Sequence, residues 1–132
     1  MNEKRKIYFG SVVSENFQLP RRLDEKLIKR AAKFWKNLGL VEKSMSFKEG
    51  EGSKIASFKA EGGSIWTTSF DKYKKVVRVL MIGVGEGTQV CVHLEFPGGY
   101  LSSADRRRVL QLFSSFQEYL RKTELNTPSI RS

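Results

Sequence analysis

The feature that most constrains this chain is a long amphipathic stretch near its C-terminal end, residues 98–122. Ser102 precedes Asp105 by three residues, the spacing of a capping box at the start of a helix. Beyond it, apolar residues recur at steps of three and four, the period of one helix face: Val109, Leu112, Phe113, Phe116 and Leu120. The pattern predicts a helix over residues 102–121 whose bulky face the rest of the chain must cover.

A second amphipathic helix is predicted over residues 20–38. Pro20 suits a first helical turn, and Gly39 suits the position after the last one. The apolar face of this helix comprises Leu23, Leu27, Ile28, Ala31, Phe34, Trp35 and Leu38, and five cations occupy the rest. Ahead of it, residues 6–14 alternate in the manner of a strand.

The middle of the chain predicts a run of antiparallel strands. Short alternating segments over residues 41–48, 54–61, 64–70, 75–84 and 88–96 are separated by turns of a few residues, most of them bearing glycine. One side of these strands is almost wholly apolar, from Val41 and Met45 to Phe96, with Lys43 as its exception. The other side is polar, as expected for a sheet with one packed and one solvated face.

These elements predict an α+β fold. A curved antiparallel sheet of about six strands, in the order β-α-β-β-β-β-β-α, grips the long C-terminal helix, and both helices lie on its concave side. The length of 132 residues fits one domain, expected over residues 1–125, and the polar tail 126–132 is expected to fray.

Composition limits the location and the partners. Cys91 is the only cysteine, so no intrachain disulfide can form and a reducing, cytoplasmic location is expected. The charged first residues do not resemble a secretory signal, and the longest apolar run, residues 76–84, is too short for a membrane span. The formal charge of +10 attracts nucleic acid, anionic lipid surfaces or acidic partners, although a merely lysine-rich surface gives the same value.

The predicted order of elements resembles the helix-grip fold of the Bet v 1/START/polyketide-cyclase-like superfamily, in a reduced form like that of small crenarchaeal proteins of unknown function. The matching parts are the first strand at Ile7 to Val13, the helix over residues 20–38, the strands over 40–96 and the closing helix. The usual pattern has two short helices and six further strands, whereas one helix and five strands are predicted here. The resemblance implies an internal cavity for apolar or amphiphilic molecules, sometimes with enzymatic activity.

A half repeat of the TATA-binding-protein type has nearly the same order of elements. It would present the outer face of its sheet to DNA. Here that face carries Lys59 and Arg78, but also Glu61 and Glu95. The mixed signs argue against a nucleic-acid platform on the sheet.

No catalytic or metal-binding pattern emerges from the chain. His93 is the only histidine, and with Cys91 and Glu95 it forms a row along one strand face, whereas a nucleophilic triad needs a cleft. The glycines of residues 83–87 lead into a strand, not a helix, and therefore predict a hairpin turn instead of a phosphate loop. We expect no catalytic residue, no metal site and no cofactor.

Two sets of candidate binding residues remain. The large apolar side chains on the packed side form either a solid core or the lining of a cavity: Phe58, Trp66, Phe70, Met81, Phe96, Phe113 and Phe116. Three consecutive cations, Arg106, Arg107 and Arg108, oppose the dipole at the start of the closing helix. They either bind an anion beside the free backbone N–H groups or are simply solvated.

The predicted function is non-catalytic binding of a hydrophobic or amphiphilic small molecule in a cavity between the sheet and the C-terminal helix, with an arginine at the mouth for an acidic head group. The alternative is a basic nucleic-acid-binding module. A cyclase-type enzyme is third; it would need a polar residue inside the cavity, and Lys43 and Thr68 are the only ones that alternation places there. An exposed strand edge allows a homodimer without requiring one.

Overall fold

The computed structural model describes residues 10–64, 72–97 and 101–126. The chain forms five strands and two helices in these ranges. In order they are β1 (Gly10–Leu19), α1 (Glu25–Lys36), β2 (Val41–Gly50), β3 (Ser53–Gly62), β4 (Lys75–Val84), β5 (Gly87–Pro97) and α2 (Ser103–Asn126). The architecture is α+β, as predicted.

The five strands form one antiparallel sheet in the order β1-β5-β4-β3-β2. Strands β2 to β5 follow one another as a meander, and β1 pairs with β5 from Gly10 opposite Pro97 to Leu19 opposite Thr88. The additional strand predicted over residues 64–70 falls outside the described residues except for Ser64. Ser64 forms an isolated bridge with Tyr73.

The two faces of the sheet differ as the alternation predicts. On the inner face of β4, Val77, Val79 and Met81 are buried, while Arg78 and Leu80 on the outer face are exposed. Helix α1 packs against β2, β3 and β4, and α2 packs against β1 and α1. Both helices therefore bury their apolar sides on the inner face, in one continuous core.

A bulge in β2 corrects the predicted facing of two residues. Glu42 pairs with Ala60 and Ser44 with Lys59, so Lys43 is an extra residue without a partner in this register. One inserted residue reverses the side on which earlier positions lie. Val41, predicted on the packed side, is consequently 60% exposed, and Lys43 is exposed instead of facing the interior. Thr68, the other polar candidate, lies outside the described residues.

The junction between β1 and α1 also differs from the prediction. β1 continues to Leu19, which buries Phe17 and Leu19 on the inner face, so Pro20 ends a strand and does not open a helix. Asp24 caps α1 instead: its Oδ1 accepts a hydrogen bond from the Leu27 amide at 2.9 Å. This cap satisfies a free N–H of the first turn, which proline cannot do.

The other end of α1 comes earlier than predicted. The helix ends at Lys36 with Asn37 as its cap residue, and Gly39 adopts a φ of 94° in the turn that follows. Only glycine adopts such an angle readily, so Gly39 marks the reversal into β2 and is not the cap itself. Leu38, predicted on the apolar face of the helix, lies beyond its end and is 51% exposed.

The start of α2 confirms the predicted capping box. The Asp105 amide donates to Ser102 Oγ at 3.1 Å, and the Ser102 amide donates to Asp105 Oδ2 at 3.3 Å. Val109, Phe113, Phe116 and Leu120 are at most 1% exposed, as their spacing requires. The helix continues past the predicted end at residue 121 as far as Asn126.

Candidate functional site: a groove at the end of α1

The predicted ligand-lining residues within the described ranges lie deep in the protein. Phe58, Met81, Phe96, Phe113 and Phe116 are each at most 2% exposed and belong to the single core cluster. They come from β3, β4, β5 and α2, so the fold does bring them together. Trp66 and Phe70, which complete the predicted set, lie outside the described residues.

An open groove lies beside this core, where α1 ends. Its volume is about 400 Å³, within the range of small-molecule sites. The lining combines apolar side chains with two cations and two neutral polar groups: Trp35, Leu38, Leu40, Leu112, Lys75, Arg108, Gln111 and Ser115. Trp35 and Leu38 were predicted as core residues, and Arg108 as an anion-binding residue.

The walls of the groove follow from the local structure. Arg108, Gln111, Leu112 and Ser115 are three, four and seven residues apart, so they lie along one side of α2. The opposite wall is the segment from Trp35 to Leu40, in which the helix stops and the chain turns into β2. α1 ends at Lys36, so its last turn and the turn that follows it border the groove.

Trp35 connects the groove to the core. It is fully buried, and its ring centroid lies 5.1 Å from that of Phe34 and 5.3 Å from that of Phe116. Among the described residues, its Nε1 is buried without a hydrogen-bond acceptor. Sequence reasoning placed Trp35 in the core but missed this donor, because periodicity reports which face a residue occupies and not the partners of its polar atoms.

The two cations of the groove are held by neighbouring groups. Arg108 Nη1 donates to Asp105 Oδ1 at 3.1 Å, within the capping box of α2. Lys75 Nζ donates to the Tyr73 carbonyl at 3.1 Å and lies 5.9 Å from the centre of the Phe96 ring. Arg106 and Arg107, predicted to bind an anion together with Arg108, are exposed and do not line the groove.

A smaller pocket of about 300 Å³ adjoins the groove and shares Leu38, Leu40 and Lys75 with it. Two backbone hydrogen bonds clamp its far side: Ser64 N to Lys72 O at 2.8 Å and Lys74 N to Ser64 O at 2.9 Å. Trp66 and Phe70 belong to residues 65–71, which lie outside the described residues.

An ion pair lies next to this clamp. Lys74 Nζ donates to Glu61 Oε1 at 3.3 Å, and this hydrogen bond lowers the pKa of Glu61 below its ordinary value. At Gly63, with a φ of 88°, an added Cβ would collide with the Tyr73 carbonyl. The close backbone approach therefore requires glycine there.

The row of Cys91, His93 and Glu95 lies on the outer face, away from the groove. Each of the three has a partner on a neighbouring strand: Cys91 Sγ donates to Asn16 Oδ1 at 2.6 Å, Ser14 Oγ lies 3.2 Å from His93 Nδ1, and Arg78 Nη1 donates to Glu95 Oε1 at 3.2 Å. Among the described residues, no group of three His, Cys, Asp or Glu side chains is placed to hold a metal ion. None of the described helices is both long and apolar enough to span a membrane.

Comparison with known proteins identifies the fold. The crystal structure of Ara h 8.0201, a Bet v 1 allergen, matches with a TM-score of 0.56 over 89% of this chain and 99% of that chain, at 14% sequence identity. The fold is Bet v 1-like. The solution structure of the 18 kDa protein CC1736 from Caulobacter crescentus matches with a TM-score of 0.37 over 87% of this chain and 97% of that chain, also at 14% identity. No protein-family model and no curated protein sequence matches the chain.

Proposed function

We propose that the protein binds a hydrophobic or amphiphilic small molecule, without catalysing a reaction on it, between the helices and the inner face of the sheet. The observation that carries the proposal is the groove with walls of Trp35, Leu38, Leu40 and Leu112. Bet v 1-like architecture agrees with the cavity that the sequence resemblance implies. In the groove, the accessible side chains of Leu38 and Leu112 lie beside the buried Trp35 and Leu40.

Burial of apolar surface supplies the binding energy. Leu38 is half exposed without a ligand, so an apolar tail laid against it removes water from both surfaces. A ligand that removes about 200 Å² of apolar surface from water gains roughly 5 kcal/mol before the cost of immobilisation. Such a gain supports binding of moderate affinity to a tail of several methylene groups.

The residues predicted from the sequence keep a role in this proposal. Phe116 contacts Trp35, so the cluster of Phe58, Met81, Phe96, Phe113 and Phe116 lies directly behind the groove. Trp66 and Phe70, which lie outside the described residues, are also proposed to contact the ligand.

Nile red, an uncharged apolar dye, tests the groove directly. We expect the substitution Leu112→Gln, on the groove wall, to weaken dye binding about tenfold, because it replaces apolar contact by an amide. Leu110→Gln on the same helix is the matched control, since Leu110 is half exposed and does not line the groove. Equal dye affinity of the two variants would contradict the proposal. So would the absence of any bound lipid-like molecule in extracts of purified protein, if Trp66→Ala also left dye binding unchanged.

A second candidate function is binding of nucleic acid by the helices. α1 and α2 together hold ten lysines and arginines against four acidic residues, whereas the strands have a nearly balanced charge. Lys26, Lys29 and Lys33 are exposed along one stripe of α1. A binding constant for duplex DNA that falls steeply with salt, and that falls less steeply in Lys29→Gln/Lys33→Gln, would support this candidate. A flat salt dependence would exclude it.

A further inference from the structure

We infer that two copies of this chain associate through β2, with the two β2 strands antiparallel and Ser46 of each copy at the two-fold axis. The two five-stranded sheets then form one continuous sheet, joined by main-chain hydrogen bonds. This inference goes beyond small-molecule binding and does not depend on it. It assigns a partner and a register to a strand edge that the sequence leaves open.

The outer edge of β2 is accessible over its whole length. β2 stands at one end of the strand order and pairs only with β3 among the described strands. Met45 and Phe47 are half-buried, and the other eight of its ten residues are exposed. Such an edge presents unpaired N–H and C=O groups that can pair with a strand of another molecule.

The opposite edge of the sheet, β1, is less suited to pairing. Helix α2 packs against β1, and Arg121 Nη2 donates to the Gln18 carbonyl at 3.5 Å. β1 also has a single charged residue, Glu15, so two β1 strands side by side would gain no ion pair. The comparison favours β2 as the interface.

The sequence of β2 is complementary to its own reverse. With Ser46 opposite its copy, Met45 of one strand lies opposite Phe47 of the other, and Lys43 lies opposite Glu49. Two-fold symmetry repeats both pairs. Association therefore brings together four half-buried apolar side chains on the inner face, each already packed against its own core, and places opposite charges together at both ends.

Neighbouring registers lose this match. A shift by two residues in one direction places Lys43 opposite Phe47, and a shift in the other direction places Met45 opposite Glu49. Each puts a charged group against an apolar one. A shift by one residue would oppose inner-face and outer-face side chains, which the alternation of a strand does not allow. The register centred on Ser46 is therefore favoured over its neighbours.

The bulge in β2 limits the length of the pairing. Lys43 is the inserted residue, so we expect a regular ladder over residues 44–48, with the long Lys43 side chain reaching Glu49 of the second copy. Both groups are accessible: Lys43 is exposed, and the Glu49 side chain is 60% exposed, with Lys54 Nζ 3.9 Å from its Oε2. A short interface of this kind predicts a weak dimer.

Introduced cysteines test the register directly. In a Cys91→Ser background, Ser46→Cys places a thiol at the two-fold axis, where opposed Cβ atoms lie about 4.5–5.5 Å apart, so mild oxidation is expected to give a disulfide-linked dimer. Ser44→Cys is the matched control, because Ser44 is also exposed on the outer face but lies roughly 13 Å from its copy along the strand. Equal cross-linking of the two variants, or none in Ser46→Cys, would overturn the inference.

Sedimentation of the full chain at rising concentration measures the dimer itself. Lys43→Glu and Glu49→Lys are each expected to weaken association about tenfold, because each places like charges opposite one another at two symmetric positions. The double variant is expected to restore it. Within one copy, Lys43 acts on the charge of Glu61 and Glu49 lies near Lys54. The double variant regains neither interaction, so recovery reports the contact between copies.

Three sedimentation results would overturn pairing through β2. The unsubstituted chain could stay monomeric at every concentration, the double variant could associate no better than the single variants, or all variants could associate as tightly as the unsubstituted chain. Binding of Nile red is expected to be the same in every variant, since neither Lys43 nor Glu49 lines the groove. The dimer is thus tested separately from the proposed function.

Discussion

The interior beneath α2 and the groove at the end of α1 are neighbouring regions with opposite packing. Phe113 and Phe116 are completely enclosed, with α1 residues such as Ile28 and Ala31 buried in the same cluster. A few residues further along, α1 has ended, Leu38 is half exposed, and cations line the opening. The filled interior and the accessible groove thus lie on either side of the last turn of α1.

The largest expected effect is the loss of stability when a buried side chain beneath α2 is truncated. Phe116→Ala should lower the free energy of unfolding by about 3–5 kcal/mol, because it removes a fully buried ring that contacts Phe17, Phe34 and Trp35. Urea denaturation followed by circular dichroism measures the change. Leu110→Ala, at an exposed position of the same helix, should cost much less. A loss below about 1 kcal/mol for Phe116→Ala would mean that space already surrounds this ring.

Two adjacent residues of β4 test whether the inner face of the sheet is packed and the outer face is exposed. Met81 is fully buried on the inner face, while Ile82 is 39% exposed on the outer face. Met81→Ala should cost about 2–5 kcal/mol, and Ile82→Ala less than half as much, because only the first leaves a cavity. Thermal unfolding of the pair checks this. Equal losses would show that the outer face is also covered in solution.

Filling the groove should affect binding far more than stability. Leu112→Trp adds volume on the groove wall, where Leu112 is only half-buried, so we expect a change of about 1 kcal/mol or less in the free energy of unfolding. Binding of Nile red should be lost in the same variant. Dye binding at the original affinity would place the site elsewhere in the fold.

The smallest expected effect concerns the ion pair beside the groove. The pKa of Glu61 is lowered in the folded state by the hydrogen bond from Lys74, so this pair contributes stability above the ordinary carboxyl value of 4.5 and loses it as the pH falls below that value. Glu61→Gln should therefore lower the melting temperature slightly at pH 7 and leave it unchanged near pH 2. If Glu61→Gln changed the melting temperature more at pH 2 than at pH 7, the pKa of Glu61 would not be lowered in the folded state.

Several elements of the fold could be predicted because their signals are local. The Ser102–Asp105 capping box and the apolar spacing of α2 are confirmed, and β4 runs over the predicted residues 75–84. The prediction that Pro20 opens a helix was wrong, because proline is compatible with the end of a strand as well as with the start of a helix. The bulge at Lys43 could not be predicted, since an extra residue is recognised only by its missing cross-strand partner.

The candidate site was predictable only in part. The sequence places Arg108 at the start of α2, but only the fold brings it to the same groove as Lys75, 33 positions earlier in the chain. It likewise assigns Trp35 to the core without showing that its N–H lacks an acceptor. The spacing of residues along a helix or strand predicts which face of that element they share. A groove depends in addition on the distances between different helices and strands, which spacing does not report.

The sequence by itself determined the α+β class, the apolar and polar sides of the strands and the capped closing helix, because each depends on periodicity and on hydrogen bonds between residues close in the chain. Only the tertiary structure decided that the predicted aromatic residues in the described ranges lie in the core and that accessible apolar surface lies at the end of α1. The reason is that burial and accessible surface depend on the distances between elements that are far apart in the chain, which the periodicity of one element does not specify.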